Sequence, residues 1–388
     1  MNANFRSIRP DIPGPVSPGA TRRRFLQSLA AAGGPCLTVL GKDADPFSET
    51  LETLRRRHDV PALAAAAFST TRVLDKAAVG RRLRTTAEAA VTDNDIFHIG
   101  SITKSMTAVL AAQCIEKGRL KWESTLGDVL DGMPLHRRVK PVTLWQLLRH
   151  RSGLRRDIPD GLYEELKLSD IAPLKQRQEL ARVMLARPPE NDPDTVFEYS
   201  NAGYTFAGLM LETVADRPWE EVVRRDLFSP LGLKSAGFGA PAKNPESVDQ
   251  PWGHRADGVP VRPGPLADNV PAIGPAGTVH LSLPDFIRYA QWHLRETVPD
   301  PSLIAAGSLA RLHGEGLADG YYGGWNRAAR PWAGGQAITH TGSNTMFFAV
   351  VWLAPKRDFG VLAACNQGGD ASEQVCDAAC AHLIGRHL

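Results

Sequence analysis

Apolar residues first recur at helical spacing between Pro46 and Val60, where Leu51, Leu54 and His58 share one side and charged residues the other. The runs Pro61–Phe68 and Arg72–Gly80 then read as two strands joined by a Ser/Thr turn, the first rich enough in alanine to pack closely under helices. Ile96–Ile99 is a short extended entry to a helix that begins near Ser101 and runs to about Gly118. From Leu126 to about Ala240 the period is helical: Val142–Leu148 behind a capping threonine, two short helices parted at Pro173 within Leu162–Leu185, then Ala202–Ala215 and Trp219–Phe228. Gly237–Pro275 is dense in Pro and Gly and reads as irregular. A helix opens at Ser282–Asp285 and runs through Leu294. Strands follow at Gly323–Trp325, Ala337–Thr339, Met346–Leu353 and Phe359–Asn366, the last two joined through Lys356–Asp358, before a closing helix over 371–386. The pattern predicts an α/β protein, an antiparallel sheet flanked by helices, built from residues 42–125 and 276–388 and interrupted by an all-helical part over 126–275.

Composition is that of an ordinary globular protein, 43% apolar and 22% charged over 388 residues, so a large core is expected. The net charge of +3 is unevenly placed: residues 1–41 carry +4 and the rest of the chain −1, which excludes a nucleic-acid partner. Thr21–Gln27, with Arg22, Arg23 and Arg24, resembles a twin-arginine export signal ahead of 17 uncharged residues, Phe25–Gly41. That stretch is too short and too weak for a stable membrane span. Residues 1–41 are therefore expected to be a leader read by the twin-arginine machinery, giving a periplasmic or secreted protein. Of the five cysteines, Cys36 falls within this leader; Cys114, Cys365, Cys376 and Cys380 are read as buried free thiols rather than metal ligands.

Candidate chemistry centres on Ser101-Ile102-Thr103-Lys104, which puts a hydroxyl and an amine on one helix face, one turn apart. A hydroxyl becomes a competent nucleophile when a neighbouring base takes its proton. Alone this spacing is common. Two further segments change its weight: Tyr199-Ser200-Asn201 just ahead of a helix, and His340-Thr341-Gly342-Ser343 beside an apolar strand. Together the three resemble the ordered motifs of the penicillin-recognising serine hydrolases, in the branch that holds class C β-lactamases, serine D-Ala-D-Ala carboxypeptidases and related esterases. The likeness runs from about residue 48 to the end of the chain.

The resemblance implies Ser101 as nucleophile, Lys104 as its base, Tyr199 as proton carrier and Asn201 as a substrate-positioning amide. It places the oxyanion between the backbone N–H groups of Ser101 and Ser343, with Thr341 and Gly342 lining the same strand edge. It requires no metal and no cofactor, and takes a small molecule or short peptide as substrate. His340 stands where β-lactamases usually carry lysine, which turns the expectation toward peptidase or esterase activity and away from β-lactamase. A catalytically silent, penicillin-binding scaffold is the alternative from another class. Arg149 and Arg151 read as surface charges or cleft-lining residues; Tyr204, Trp325 and His98 read as packed side chains.

Overall fold

The computed structural model describes residues 46–86, 89–295 and 303–388. The expected leader over residues 1–41, Cys36 included, lies outside the described residues. Helix α1 (Phe47–Arg57) leads into strands β1 (Ala62–Phe68), β2 (Val73–Gly80) and β3 (Ile96–His98). Helix α2 (Thr103–Glu116) follows, and α3 (Pro173–Leu185) and α4 (Asn201–Ala215) carry the middle of the chain. Short strands β4 (Gly237–Phe238) and β5 (Val279–Ser282) return it to helix α5 (Leu283–Leu294). Strands β6 (Gly320–Tyr322), β7 (Trp325–Arg330), β8 (Gly335–Ser343), β9 (Phe348–Ala354) and β10 (Phe359–Cys365) precede the last helix, α6 (Asp370–His387).

Seven strands form one antiparallel sheet in the order β2-β1-β10-β9-β8-β7-β6, so the two ends of the described chain meet at β1 and β10. Strand β1 is buried along its whole length, and its alternation divides between two cores. Leu63, Ala65 and Ala67 face Phe47 and Leu51 of α1 and Val375, Ala379 and Leu383 of α6. Ala64, Ala66 and Phe68 face the larger core, which includes α2, α4 and α5. Small side chains on a doubly covered strand let both helical layers approach it.

Several boundaries differ from the sequence pattern. Gly323–Trp325, expected as a strand, holds a turn: Gly323 and Gly324 take positive φ of 45° and 85° and join β6 to β7. A Cβ at Gly324 would lie 2.4 Å from the Ser105 backbone, so this turn is pressed against α2 and needs glycine. Strand β6 lies outside the strands the sequence pattern predicts, and β8 runs on through its polar end to Ser343. The middle of the chain is not wholly helical, because Gly237–Phe238 pairs with β5 beside β3. Trp219–Phe228 ends in a π turn, Arg224–Phe228. Among the described residues no helix is long and apolar enough to cross a membrane, and Cys114, Cys365, Cys376 and Cys380 are buried and free.

Candidate active site

Ser101 does not begin an α-helix; it sits in a 3₁₀ turn, Gly100–Ile102, that feeds α2. Gly100 at φ +50° makes the corner, and the buried ring of His98 accepts its N–H at Nδ1 (3.0 Å). Helix α2 is buried on every side from Thr103 to Cys114, and its polar Thr103, Ser105 and Thr107 each have a buried hydrogen-bond partner. Lys104 is therefore fully enclosed. Its Nζ lies 2.7 Å from Asn201 Oδ1, 2.8 Å from the Ala276 carbonyl and 3.0 Å from Ser101 Oγ. None of these partners is a carboxylate, and burial holds the lysine pKa well below its usual value. Nζ donates to all three oxygens; with burial disfavouring the ammonium, the neutral amine can keep the Asn201 and Ala276 bonds and turn its lone pair to the Ser101 hydroxyl.

Asn201 is the first residue of α4, whose N-cap Ser200 accepts the Gly203 N–H (3.0 Å). Tyr199 precedes the cap, is hydrogen-bonded to Ser101, and lies with its ring centroid 4.7 Å from Lys104 Nζ. Burial pushes its pKa above the ordinary phenol value, so it stays protonated and is equipped to donate. His150 holds this segment at three points. Its carbonyl accepts the Glu198 N–H (2.8 Å), its Nδ1 accepts the Ser200 N–H (3.1 Å), and its ring packs 4.3 Å from that of Tyr199.

The third side is the end of β8. A Cβ at Gly342 would lie 1.9 Å from the Ile99 carbonyl oxygen and 2.6 Å from Ser101 N; one at Gly100 would lie 2.2 Å from Ser343 N. Two glycines thus bring the Ser101 and Ser343 amides to one place, the arrangement an oxyanion hole requires. Behind them Asp268 Oδ1 lies 2.9 Å from His98 Nε2 and 2.8 Å from Asn344 Nδ2, tying the Ser101 turn to the strand end. His340 is buried, with Nε2 3.0 Å from the Tyr321 hydroxyl and Nδ1 against the Thr341 carbonyl. Burial lowers its pKa to about 3, so it is neutral at ordinary pH. Thr341 and Ser343 are exposed, and Ser101, Tyr199 and Asn201 half-buried, so a substrate reaches all five.

The Ala276 carbonyl is fixed from both sides. Gly208 of α4 leaves room for Pro275, whose carbonyl accepts the Thr107 hydroxyl (2.7 Å). Buried Arg177 on α3 donates to the Pro271 carbonyl (3.2 Å) while pairing with Glu212 and Glu220.

The family model described as Beta-lactamase matches residues 47–383. The chain belongs to the beta-lactamase family. Among similar proteins is penicillin-binding protein 4 of Amycolatopsis lactamdurans, 29% identical over 85% of this chain and 87% of that one. The lovastatin esterase of Penicillium rubens is 26% identical over 48% of this chain and 49% of its own. Among solved structures, the D-alanine carboxypeptidase AmpC from Burkholderia cenocepacia superposes with a TM-score of 0.68 at 22% identity, over 88% of this chain and 97% of that one. This is a member of the penicillin-recognising serine hydrolase superfamily with that fold.

Within this beta-lactamase-family fold the eight residues singled out in the sequence, Ser101, Lys104, Tyr199, Asn201, His340, Thr341, Gly342 and Ser343, come together around one cleft. Arg149 and Arg151 are occupied elsewhere: Arg149 lies over the Trp145 and Tyr322 rings, and Arg151 donates to the Asp194 carbonyl (3.0 Å). Sequence reasoning missed His150, Tyr321, Asp268 and the Ala276 carbonyl. Only His150 carried a signal, a histidine between two arginines directly before Ser152-Gly153, where a tight turn forces it to φ +57°.

Proposed function

We propose that the protein is an exported serine hydrolase that works through an acyl-enzyme on Ser101 and cleaves an ester, amide or short peptide. The observation that carries this is Lys104 Nζ, enclosed without a counter-charge and 3.0 Å from Ser101 Oγ. Lys104 takes the hydroxyl proton as Ser101 Oγ bonds to the substrate carbonyl carbon. The carbonyl electron pair moves to oxygen, which faces the Ser101 and Ser343 amides. On collapse the leaving group takes the Tyr199 proton, which the Lys104 ammonium replaces; water then repeats the sequence on the ester and frees Ser101. With His340 neutral, a substrate carboxylate has only the Thr341 and Ser343 hydroxyls to meet on this strand. This favours esterase or peptidase work over β-lactam hydrolysis. Likeness to a penicillin-binding protein, an esterase and a carboxypeptidase supports the same range. The arginine run in Thr21–Gln27 supports export. The test is labelling with a fluorophosphonate probe in separated cell fractions, followed by peptide mapping. A label on Ser101, lost in Ser101→Ala and found outside the cytoplasm, is expected. An unlabelled Ser101 rejects the hydrolase, and a labelled band confined to the cytoplasm rejects export.

A further inference from the structure

Two apolar residues stand exposed beside the cleft, Val196 and Phe197, with 44% and 39% of their surface open. Isolated exposed apolar residues need no account, but this pair directly precedes the Tyr199 segment. Phe197 and Tyr199 are two apart in sequence, and both rings pack against that of His150. Phe197 is also held in place. Its ring stands edge-on to His150 (centroids 5.9 Å, 90°) and 6.1 Å from that of Tyr321. Tyr321 in turn lies 6.2 Å from Tyr199 and 5.6 Å from His340, to which its hydroxyl is bonded. A continuous row of rings therefore leads from the surface to the proton donor.

That row carries no charge toward the cleft. His340 spends both ring nitrogens on Tyr321 and Thr341, and His150 spends Nδ1 on Ser200. The neighbouring cations Arg149 and Arg151 are engaged with the Trp145 and Tyr322 rings and with the Asp194 carbonyl. A carboxylate laid against these rings loses water and gains no hydrogen-bond donor from them, whereas a flat apolar group gains an offset or edge contact with a packed ring. Because the row ends at Tyr199, which protonates the departing group, it lies on the leaving-group side of the bond cleaved.

We propose that Phe197 is a specificity-determining residue, its exposed ring braced by the buried Tyr321 as an aromatic shelf that binds an uncharged, flat apolar leaving group of the substrate held at Ser101. The proposal rests on the serine hydrolase reading. Three acetate esters test it, sharing one acyl group: phenyl acetate, 2,2,2-trifluoroethyl acetate and 4-acetoxybenzoate. Intrinsic reactivity cancels when ratios are compared between variants. The phenyl-to-trifluoroethyl ratio of kcat/KM should fall about tenfold in Phe197→Ala, the scale of a lost apolar contact in a specificity pocket. Phe197→Trp should recover most of it. The unmodified protein should also use phenyl acetate at least about tenfold better than 4-acetoxybenzoate, which adds only a carboxylate. Thermal melts of both variants establish that the effect is not unfolding. A ratio within about twofold of the parent in Phe197→Ala, or equal use of phenyl acetate and 4-acetoxybenzoate, overturns the shelf alone. Absence of turnover of all three esters, with Ser101 unlabelled, overturns the hydrolase reading and the shelf with it.

Discussion

A lysine that serves as a base at ordinary pH needs its ammonium form disfavoured, and Lys104 obtains this by enclosure rather than by a neighbouring cation. Tyr204, whose ring centroid lies 5.7 Å from Nζ, donates its hydroxyl to the Leu148 carbonyl and offers the amine no charge. Tyr199 is held above its ordinary pKa and remains the protonated partner. In the proposed mechanism roles separate by environment: the amine abstracts and the phenol donates. Activity should follow the neutral fraction of Lys104, so kcat/KM for phenyl acetate rises with pH along a limb placed below lysine's usual value of about 10.4. Lys104→Met should lower kcat by about 10²–10⁴-fold, the usual contribution of a positioned acid or base, and should erase that limb. A pH–rate profile of the variant that keeps the limb would assign the base elsewhere.

At the scale of elements, the site is made where three unrelated pieces meet: the turn before α2, the cap of α4 and the end of β8. Their meeting depends on backbone contact that side chains would prevent. Gly342→Ala puts a methyl group 1.9 Å from the Ile99 carbonyl oxygen and 2.6 Å from Ser101 N, so β8 must draw away from the nucleophile turn. Because Gly342 pairs with Ala349 near the end of its ladder, most of β8 retains its register against β9. The expected result is a kcat about 10²–10³-fold lower, as for loss of one oxyanion donor, in a protein that still melts cooperatively. Undiminished kcat would remove the Ser343 amide from the reaction. The same geometry explains what could be read from the chain. Thr143 ahead of Leu144–Leu148 forms a capping box with Gln146, a local signal, and α3 starts at Pro173 as its proline implies. Ser101 and Lys104 are legible because a helix turn fixes their spacing. Tyr321 and Asp268 reach the site only through sheet order and a long irregular return. The polar end of β8 has too few apolar positions to read as strand. Gly323 and Gly324 read as strand because nothing nearby in sequence reveals that α2 lies against them.

Across the whole molecule, burial leaves an unusual number of histidines neutral. Desolvation lowers His254 and His280 to about 4 and His313 and His340 to about 3, and holds His150 and His293 well below their ordinary value. Four of these serve one buried chain or adjoin the candidate site: His293 and His313 the first, His150 and His340 the second. Ser105 spends its only proton on the Ile102 carbonyl (2.7 Å), so Tyr289 must donate to it (2.6 Å) and His293 Nε2 to Tyr289 (2.9 Å). His293 Nδ1 then accepts from His313 Nε2 (2.9 Å), an order that a proton added to Nδ1 would break. In the unfolded chain all six titrate near ~6.5. Below that pH the unfolded state binds more protons than the folded state, so stability falls as pH falls, until each folded pKa is reached. Each such group contributes a slope of about 1.4 kcal/mol per pH unit, and two acting over two units remove about 5 kcal/mol of a typical 5–15. Asp377 of α6 opposes this weakly: burial raises it to about 6, so its carboxyl keeps a proton in the folded state that the unfolded chain gives up. Glu212 and Glu373, also raised by burial, act in the same sense, but six histidines outweigh three carboxyls. Circular dichroism and tryptophan fluorescence followed from pH 7 downward should show cooperative loss of structure between about pH 6 and 4, with unfolding coupled to proton uptake. A fold that persists unchanged to pH 3 would mean that the histidines charge without leaving their sites, and that the buried chain beneath Ser105 tolerates the proton its hydrogen-bond order forbids.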